Sequence, residues 1–326
     1  MASADQLKAL VRSHSEGDDA RFYSIALQVA AKEARSGNTR FATELRKLVD
    51  EAKAKAKPLA RRSKVLPLAQ PRGELAGLLS VTYPKHRLAD MVLDPALRKR
   101  IERVLLEQRQ RDALGEHGFS PQRKLLLVGA PGTGKTMTAG VLAGELKLPL
   151  FAIQLDGLIT KFMGETAAKL RLIFDAITET RAVYFFDEFD ALGSERGTKN
   201  DVGEIRRVLN SFLQFLEQDE SDSLVIAATN HPALLDRALF RRFDTVIEYA
   251  LPSDSVAEKV MKTRLALLDA SKVDWSAAVQ AAHGLSHGDV VRACEHAAKN
   301  AILAKTTKIE TEGLVAALAD RRVAPS

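Results

Sequence analysis

The chain has 326 residues but one cysteine, one tryptophan and only 6% aromatic residues. A lone Cys294 excludes an internal disulfide framework and any thiolate-rich zinc site, and it points to a reducing compartment, the cytoplasm. No stretch approaches 18 uncharged apolar residues. The first twenty residues carry Asp5, Lys8, Arg12, Glu16, Asp18 and Asp19, so a membrane span and a signal peptide are both excluded as readings. No HExxH occurs, which excludes a zinc protease centre of that type. Charge of one sign does not dominate either. The net charge is +6 and the pI is near 9.3, with no zinc finger, helix-turn-helix or aromatic–basic stripe, so nucleic acid is disfavoured as a partner. What remains is an ordinary globular balance, 46% hydrophobic and 28% charged, in a chain too long for one compact core.

The texture changes along the chain. Residues 1–57 read as a small three-helix unit: a first helix through Leu7, Leu10 and Val11, a second with Phe22, Ile25, Ala26, Val29 and Ala30 at helical spacing, and a third with the stripe Phe41, Leu45, Leu48 and Val49. Residues 58–87 read as a basic, proline-broken linker. The run begins just before it, with Lys53, Lys55, Lys57, Arg61, Arg62 and Lys64 alternating with alanine and Pro58, Pro67 and Pro71 preventing a helix. Residues 88–251 alternate helix and strand. The expected strands are Lys124–Val128, Phe151–Leu155, Val183–Phe186, Leu224–Thr229 and Thr245–Tyr249, near-continuous apolar runs of the kind a parallel sheet buries on both faces. Residues 252–326 are helical again, with helices expected at Val256–Leu268, after Asp274, at His287–Lys305 and around Leu314–Ala319.

Gly129-Ala130-Pro131-Gly132-Thr133-Gly134-Lys135-Thr136 fits the phosphate-loop pattern in full, between the strand KLLLV and the helix TMTAGVLAGEL. Glycines let backbone N–H groups turn toward a phosphate, and the helix N-terminus adds partial positive charge. The candidate nucleotide contacts are Pro131, Gly132, Thr133, Gly134, Lys135, Thr136 and Met137. Within them Lys135 reaches the β- and γ-phosphates and the Thr136 hydroxyl can ligate Mg²⁺. Tyr184-Phe185-Phe186-Asp187-Glu188 is an apolar strand ending in two acids, 52 residues after Lys135, which leaves room for one helix–strand–helix passage. Asp187 is the second Mg²⁺ candidate, and Glu188 can take the proton of an attacking water. Asn230 ends the next strand; placed between the other two, its amide would orient that water. Arg241 and Arg242 follow 11 residues on. Bounded by apolar residues, they can complete charge stabilisation from a neighbouring subunit, or simply pair with a surface acid such as Asp236 or Asp244. Lys161, Phe162 and Met163, beside Gly164, suit an exposed loop that grips apolar side chains without selecting among them.

Taken together, residues 88–322 resemble the AAA+ ATPases, in particular the protein-remodelling group of spastin, katanin and FtsH type. The resemblance implies an α/β P-loop NTPase domain of three layers, with a parallel sheet of order 5-1-4-3-2, a C-terminal helical lid, and a homo-oligomeric ring, usually a hexamer, with ATP and Mg²⁺ at each interface. It implies Asn230 as the sensor asparagine, Arg241 and Arg242 as arginine fingers and Phe162 as the central-pore aromatic. Gly284-Leu285-Ser286-His287-Gly288-Asp289 matches the lid motif GxSGAD and makes Gly288 a further nucleotide contact. There are departures: His287 and Gly288 stand where the motif has Gly-Ala beside the adenine, and Glu217-Gln218-Asp219-Glu220 lies where an Asp-Gly-Phe segment often signals between subunits. The whole chain, including EGDDARFYSIALQVAAKEAR, also resembles a bacterial group of AAA ATPases encoded beside a subtilisin-like serine protease, pairs thought to act as toxin–antitoxin or anti-phage modules.

Three readings of function follow. The leading one is ATP-driven remodelling or control of a protein substrate or partner. The second is a nucleotide-gated binding module, an antitoxin-like regulator that holds a partner protease and hydrolyses slowly. The third is a nucleic-acid-dependent ATPase. Guanine specificity is disfavoured, because no NKxD motif occurs.

Overall fold

The computed structural model describes residues 73–158, 163–192, 201–234 and 237–323, with isolated positions (25–27, 29, 30, 33, 38, 41–49 and 71) before them. By its internal contacts the chain divides into two compact units, Met1–Leu68 and Ala69–Ser326. In the first, Ala26, Val29 and Ala30 are buried, as the helical spacing predicts, and residues 41–49 form a helix. Its apolar stripe differs from the expected one. Ala42 and Val49 are buried while Phe41 and Leu48 are exposed, because the inward face follows the 42–45–49 spacing and one face cannot hide every apolar residue. The expected first helix lies outside the described residues.

The second unit is built on a six-stranded sheet: β1 (Leu79–Thr82), β2 (Lys124–Gly129), β3 (Leu150–Ile153), β4 (Val183–Phe186), β5 (Leu224–Thr229) and β6 (Thr245–Tyr249), in spatial order β1-β3-β4-β5-β2-β6. The five strands from β2 onward are parallel and reproduce the expected 5-1-4-3-2 order. β1 was not expected. It lies in the stretch read as linker, and pairs antiparallel with β3 from Leu79↔Ile153 to Thr82↔Leu150. LSVT is too short and too weakly apolar to announce a strand by itself; the open edge of β3 is what recruits it.

The longer helices of this unit, of eight residues or more, follow in chain order: α1 (Pro95–Arg109), α2 (Lys135–Leu146), α3 (Met163–Glu179), α4 (Asp201–Gln218), α5 (Asp254–Arg264), α6 (Trp275–Ala282), α7 (His287–Leu303) and α8 (Thr311–Val323). α1 starts sharply, because the Asp94 carboxylate accepts from Ala96 N at 2.8 Å and Pro95 occupies the first helical position. The two faces of the sheet carry separate cores. One packs Leu126, Tyr184, Phe186 and Ala227 against α3 and α4 through Phe174 and Phe212, whose rings meet edge-on with centroids 5.6 Å apart. The other packs Leu125, Leu127, Phe185 and Ile226 against α1 and α2 through Val104, Leu105, Val141 and Leu142. Helices α5 to α8 close on a third core of Val260, Met261, Val290, Cys294 and Leu318. Cys294 is fully buried there, and desolvation pushes its thiol pKa up to about 12, so it packs as a small apolar side chain. Among the described residues no helix is long and apolar enough to cross a membrane.

Candidate functional site

The sheet order sets the site. β2 lies between β5 and β6, and β4 lies on the far side of β5, so the C-terminal ends of β2, β5 and β4 stand side by side. Segments leaving those ends carry Pro131–Met137, Asp187, Glu188 and Asn230. The position matches the rule that ligands of open α/β sheets bind beyond the carboxyl ends of the strands.

The loop after β2 curls through Gly132 (φ 73°) and Gly134 (φ 103°), a left-handed backbone that side chains rarely adopt, and then enters α2. A Cβ on Gly132 would also collide with Ser286 Oγ, so this glycine lets the C-terminal helices approach the loop. Lys135 is buried and folds back, its Nζ donating to the carbonyls of Gly129 at 2.7 Å and Ala130 at 2.8 Å. Burial lowers its pKa, while the carboxylates of Asp187 and Asp190 pull it back up. Thr136 Oγ1 donates to Asp187 Oδ2 at 2.8 Å, which brings an oxygen from the first turn of α2 against one from the end of β4.

Glu188 is exposed, beside Asp187, with φ of 49°. A left-handed glutamate costs on the order of 1–2 kcal/mol, and such strain clusters at functional sites. Asp190 is a residue that sequence reasoning missed. Its Oδ1 accepts from Thr229 Oγ1 at 2.9 Å and from Asn230 N at 3.4 Å, tying the end of β5 to the loop after β4. The signal available was a third acid two positions after Glu188, which reads as ordinary surface until β5 is known to pass beside it.

The arginines separate. Arg242 is ion-paired with Glu217 of α4, a surface acid as that alternative supposed though not Asp244, and Asp236 lies outside the described residues. Asp244 is occupied elsewhere, accepting from the backbone N–H groups of Arg123 and Lys124, both at 2.8 Å. Arg241 is exposed and has no ion pair among the described residues. Lys161 and Phe162 lie outside the described residues, and Met163 begins α3.

From the other side, the start of α7 meets the phosphate loop. Ser286 caps the helix by accepting from Asp289 N at 3.2 Å, and its hydroxyl donates to the Asp289 carboxylate at 2.6 Å. Gly288 N donates to Gly132 O at 2.8 Å. Between the loop and these helices lies a cavity of about 320 Å³, lined by Met91, Val92, Thr133, Gly134, Met137, Val260 and His287 among others. That is at the small end of roughly 300–1,000 Å³ for small-molecule sites, and the lining is mainly apolar. The segment carrying Met91 is pinned by Glu145, which accepts from Leu88 N at 3.2 Å and pairs with Arg109 at 2.6 Å.

The site's residues fall in a recognised family. The profile of the ATPase family associated with various cellular activities (AAA) matches residues 125–251. An uncharacterised AAA family ATPase, y4kL, of Sinorhizobium fredii is 31% identical over 320 residues, covering 98% of this chain and 96% of that protein. The ATP-dependent zinc metalloprotease FtsH 1 of Methylacidiphilum infernorum is 36% identical over 62% of this chain and 33% of its own length. The proteasome-activating nucleotidase of Aeropyrum pernix is 35% identical over 69% of this chain and 57% of its own. This chain therefore spans nearly all of the first relative but a third to just over half of the other two. Among solved structures, the FIGL-1 AAA domain superposes with a TM-score of 0.60 at 25% identity, covering 76% of this chain and 87% of that one.

Proposed function

The chain belongs to the AAA family of ATPases, and from that premise we propose that it couples ATP hydrolysis to the remodelling or control of a protein substrate or partner. The observation that carries this reading is the meeting of Lys135, Thr136, Asp187, Glu188 and Asn230 at the carboxyl ends of three adjacent strands.

In this reading the N–H groups of Gly132–Thr136 and the Lys135 ammonium hold the β- and γ-phosphates. Lys135 exchanges its two backbone carbonyl acceptors for phosphate oxygens as ATP enters. Thr136 Oγ1 and Asp187 would hold Mg²⁺, which would neutralise phosphate charge when bound. The donor set fits: Mg²⁺ takes hard oxygen ligands, typically one or two from protein with waters and phosphates completing the shell. Glu188 accepts the proton of the attacking water, Asn230 orients that water, and Asp190 positions Asn230 by fixing its backbone.

Arg241 and Arg242 act in trans, so the active form is a homo-oligomeric ring, with six subunits the preferred number. Phe162, flanked by Lys161 and Met163, transmits the work to polypeptide at the ring axis. The relatives FtsH and proteasome-activating nucleotidase support a protein substrate over a nucleic acid. The preferred partner is a cytoplasmic protein, with a subtilisin-like serine protease the specific candidate, and residues 1–57 are its docking element. A second reading, the nucleotide-gated binding module, draws support from one observation. Arg242 is held by Glu217 of its own chain, which suits slow hydrolysis until that pair opens.

Substrate capture tests the proposal. Glu188→Gln loaded with ATP should retain a protein that the same variant with ADP releases. Equal capture in both states would show that hydrolysis does not control the bound protein and would overturn the proposal.

A further inference from the structure

His287 sits at the first position of α7, a 17-residue helix, with both ring nitrogens buried and without a hydrogen-bond partner among the described residues. A buried, unsatisfied polar atom is costly, and a side chain with two of them is rare in a folded protein. The imidazole also lines the cavity of about 320 Å³ that opens beside Thr133, Gly134 and Met137. A nucleotide whose phosphates rest on Gly132–Thr136 could set its sugar and base in that cavity, since Thr133, Gly134 and Met137 form part of its wall. Met91, Val92, Leu93, Val260 and Val291 add apolar surface that can sandwich a flat ring, and of the polar residues on the wall (His86, Asp90, Thr133, Thr263, Arg264 and His287) His287 is the one with buried ring nitrogens and no partner for either.

From this geometry we infer that His287 hydrogen-bonds the edge of the purine base and makes base identity a determinant of nucleotide affinity. The inference rests on the ATP reading above and adds to it the residue that reads the base. Neutral imidazole carries one donor and one acceptor, so it can accept from the 6-amino group of adenine or donate to N7. Burial lowers the His287 pKa, which keeps the ring neutral and preserves that acceptor near pH 7. The other charged or titratable groups around the cavity are His86, Asp90 and Arg264.

The start of α7 is tied to the phosphate loop by Gly288 N, which donates to Gly132 O at 2.8 Å. The Ser286 cap fixes the same turn. The imidazole is therefore placed at the phosphate loop by the Gly288 bond on one side and the Ser286 cap of the same turn on the other, and a base in the cavity would give a ring nitrogen its partner.

The test uses the full chain and equilibrium titration calorimetry with three diphosphates, which avoids turnover: ADP, the purine riboside diphosphate lacking the 6-amino group, and 7-deaza-ADP lacking N7. In the wild type, one analogue should bind roughly 5- to 30-fold more weakly than ADP, the size of one lost or orphaned buried hydrogen bond. His287→Phe keeps the ring's bulk without nitrogens, and in it that penalty should shrink by about fivefold or more. His287→Gln restores a donor and an acceptor and should regain part of it. Circular dichroism checks that each variant is folded, and His287→Ala replaces His287→Phe if the larger ring is not tolerated. Equal penalties in wild type and His287→Phe, or no penalty with either analogue, would overturn the inference while leaving the nucleotide site intact. Failure of the wild type to bind ADP at all would overturn the site itself.

Discussion

The backbone N–H of Gly288, in the first turn of α7, donates to the carbonyl of Gly132 in the phosphate loop at 2.8 Å. One hydrogen bond thus joins the C-terminal helices to the loop after β2.

The first prediction separates holding phosphate from moving a proton. Lys135→Ala should abolish ATP binding, while Glu188→Gln should bind ATP normally and lose turnover by roughly 10²-fold or more. Filter binding and phosphate release measure the two properties independently. Wild-type hydrolysis by Glu188→Gln would remove Glu188 from the mechanism.

The second prediction concerns the arginines. Arg241→Ala should cut turnover by roughly 10³-fold with ATP affinity nearly unchanged, as expected for a residue completing a neighbour's site. Mixing Arg241→Ala with Glu188→Gln subunits should restore activity at interfaces that pair an intact Glu188 with an intact Arg241. Glu217→Ala frees Arg242, but a half-exposed pair is worth at most about 1 kcal/mol, so basal turnover should rise no more than about fivefold. No recovery in mixed rings shown to form would rule out the shared site.

The third prediction places Phe162 on the substrate side. Phe162→Ala should keep ATP binding and most basal hydrolysis, because an aromatic ring supplies neither charge nor proton to phosphate. It should lose substrate-stimulated hydrolysis, and Phe162→Tyr should keep it. Normal remodelling by Phe162→Ala would favour the binding-module reading.

The fourth prediction is a pH dependence. The His287 pKa is lowered by burial in the folded state, so the unfolded chain binds the extra proton more readily. This group therefore contributes stability that is present above about pH 6.5, its unfolded value, and is lost as pH falls below it. Thermal melts of wild type and His287→Phe between pH 5 and 8 should diverge, with the wild type losing more on acidification. Parallel curves would show that the imidazole is not desolvated in the folded chain.

Much of the fold was legible because the central strands are unusual in composition. Val183–Phe186, Leu224–Thr229 and Thr245–Tyr249 are placed to the residue, and only a strand covered on both faces tolerates VYFF or LVIAAT. β1 was not legible, since its stability comes from pairing with β3 some 70 residues away rather than from its own side chains. The phosphate loop announces itself through its glycines. Asp190 and Glu217 did not, because a carboxylate's role depends on which partner the fold brings to it: Thr229 and Asn230 for one, Arg242 for the other. The His287 departure from the lid motif was visible in the sequence, but its two unpartnered nitrogens facing a cavity were not.

The central claim is that ATP hydrolysis here does work on polypeptide. The most direct measurement is the steady-state ATP turnover of the wild-type chain, taken alone and with unfolded protein, single-stranded DNA or RNA at matched concentrations. The account predicts that turnover rises several-fold with unfolded protein, stays at its basal level with either nucleic acid, and loses the rise in Phe162→Ala. Stimulation by DNA or RNA, or a rate indifferent to all three, would contradict it.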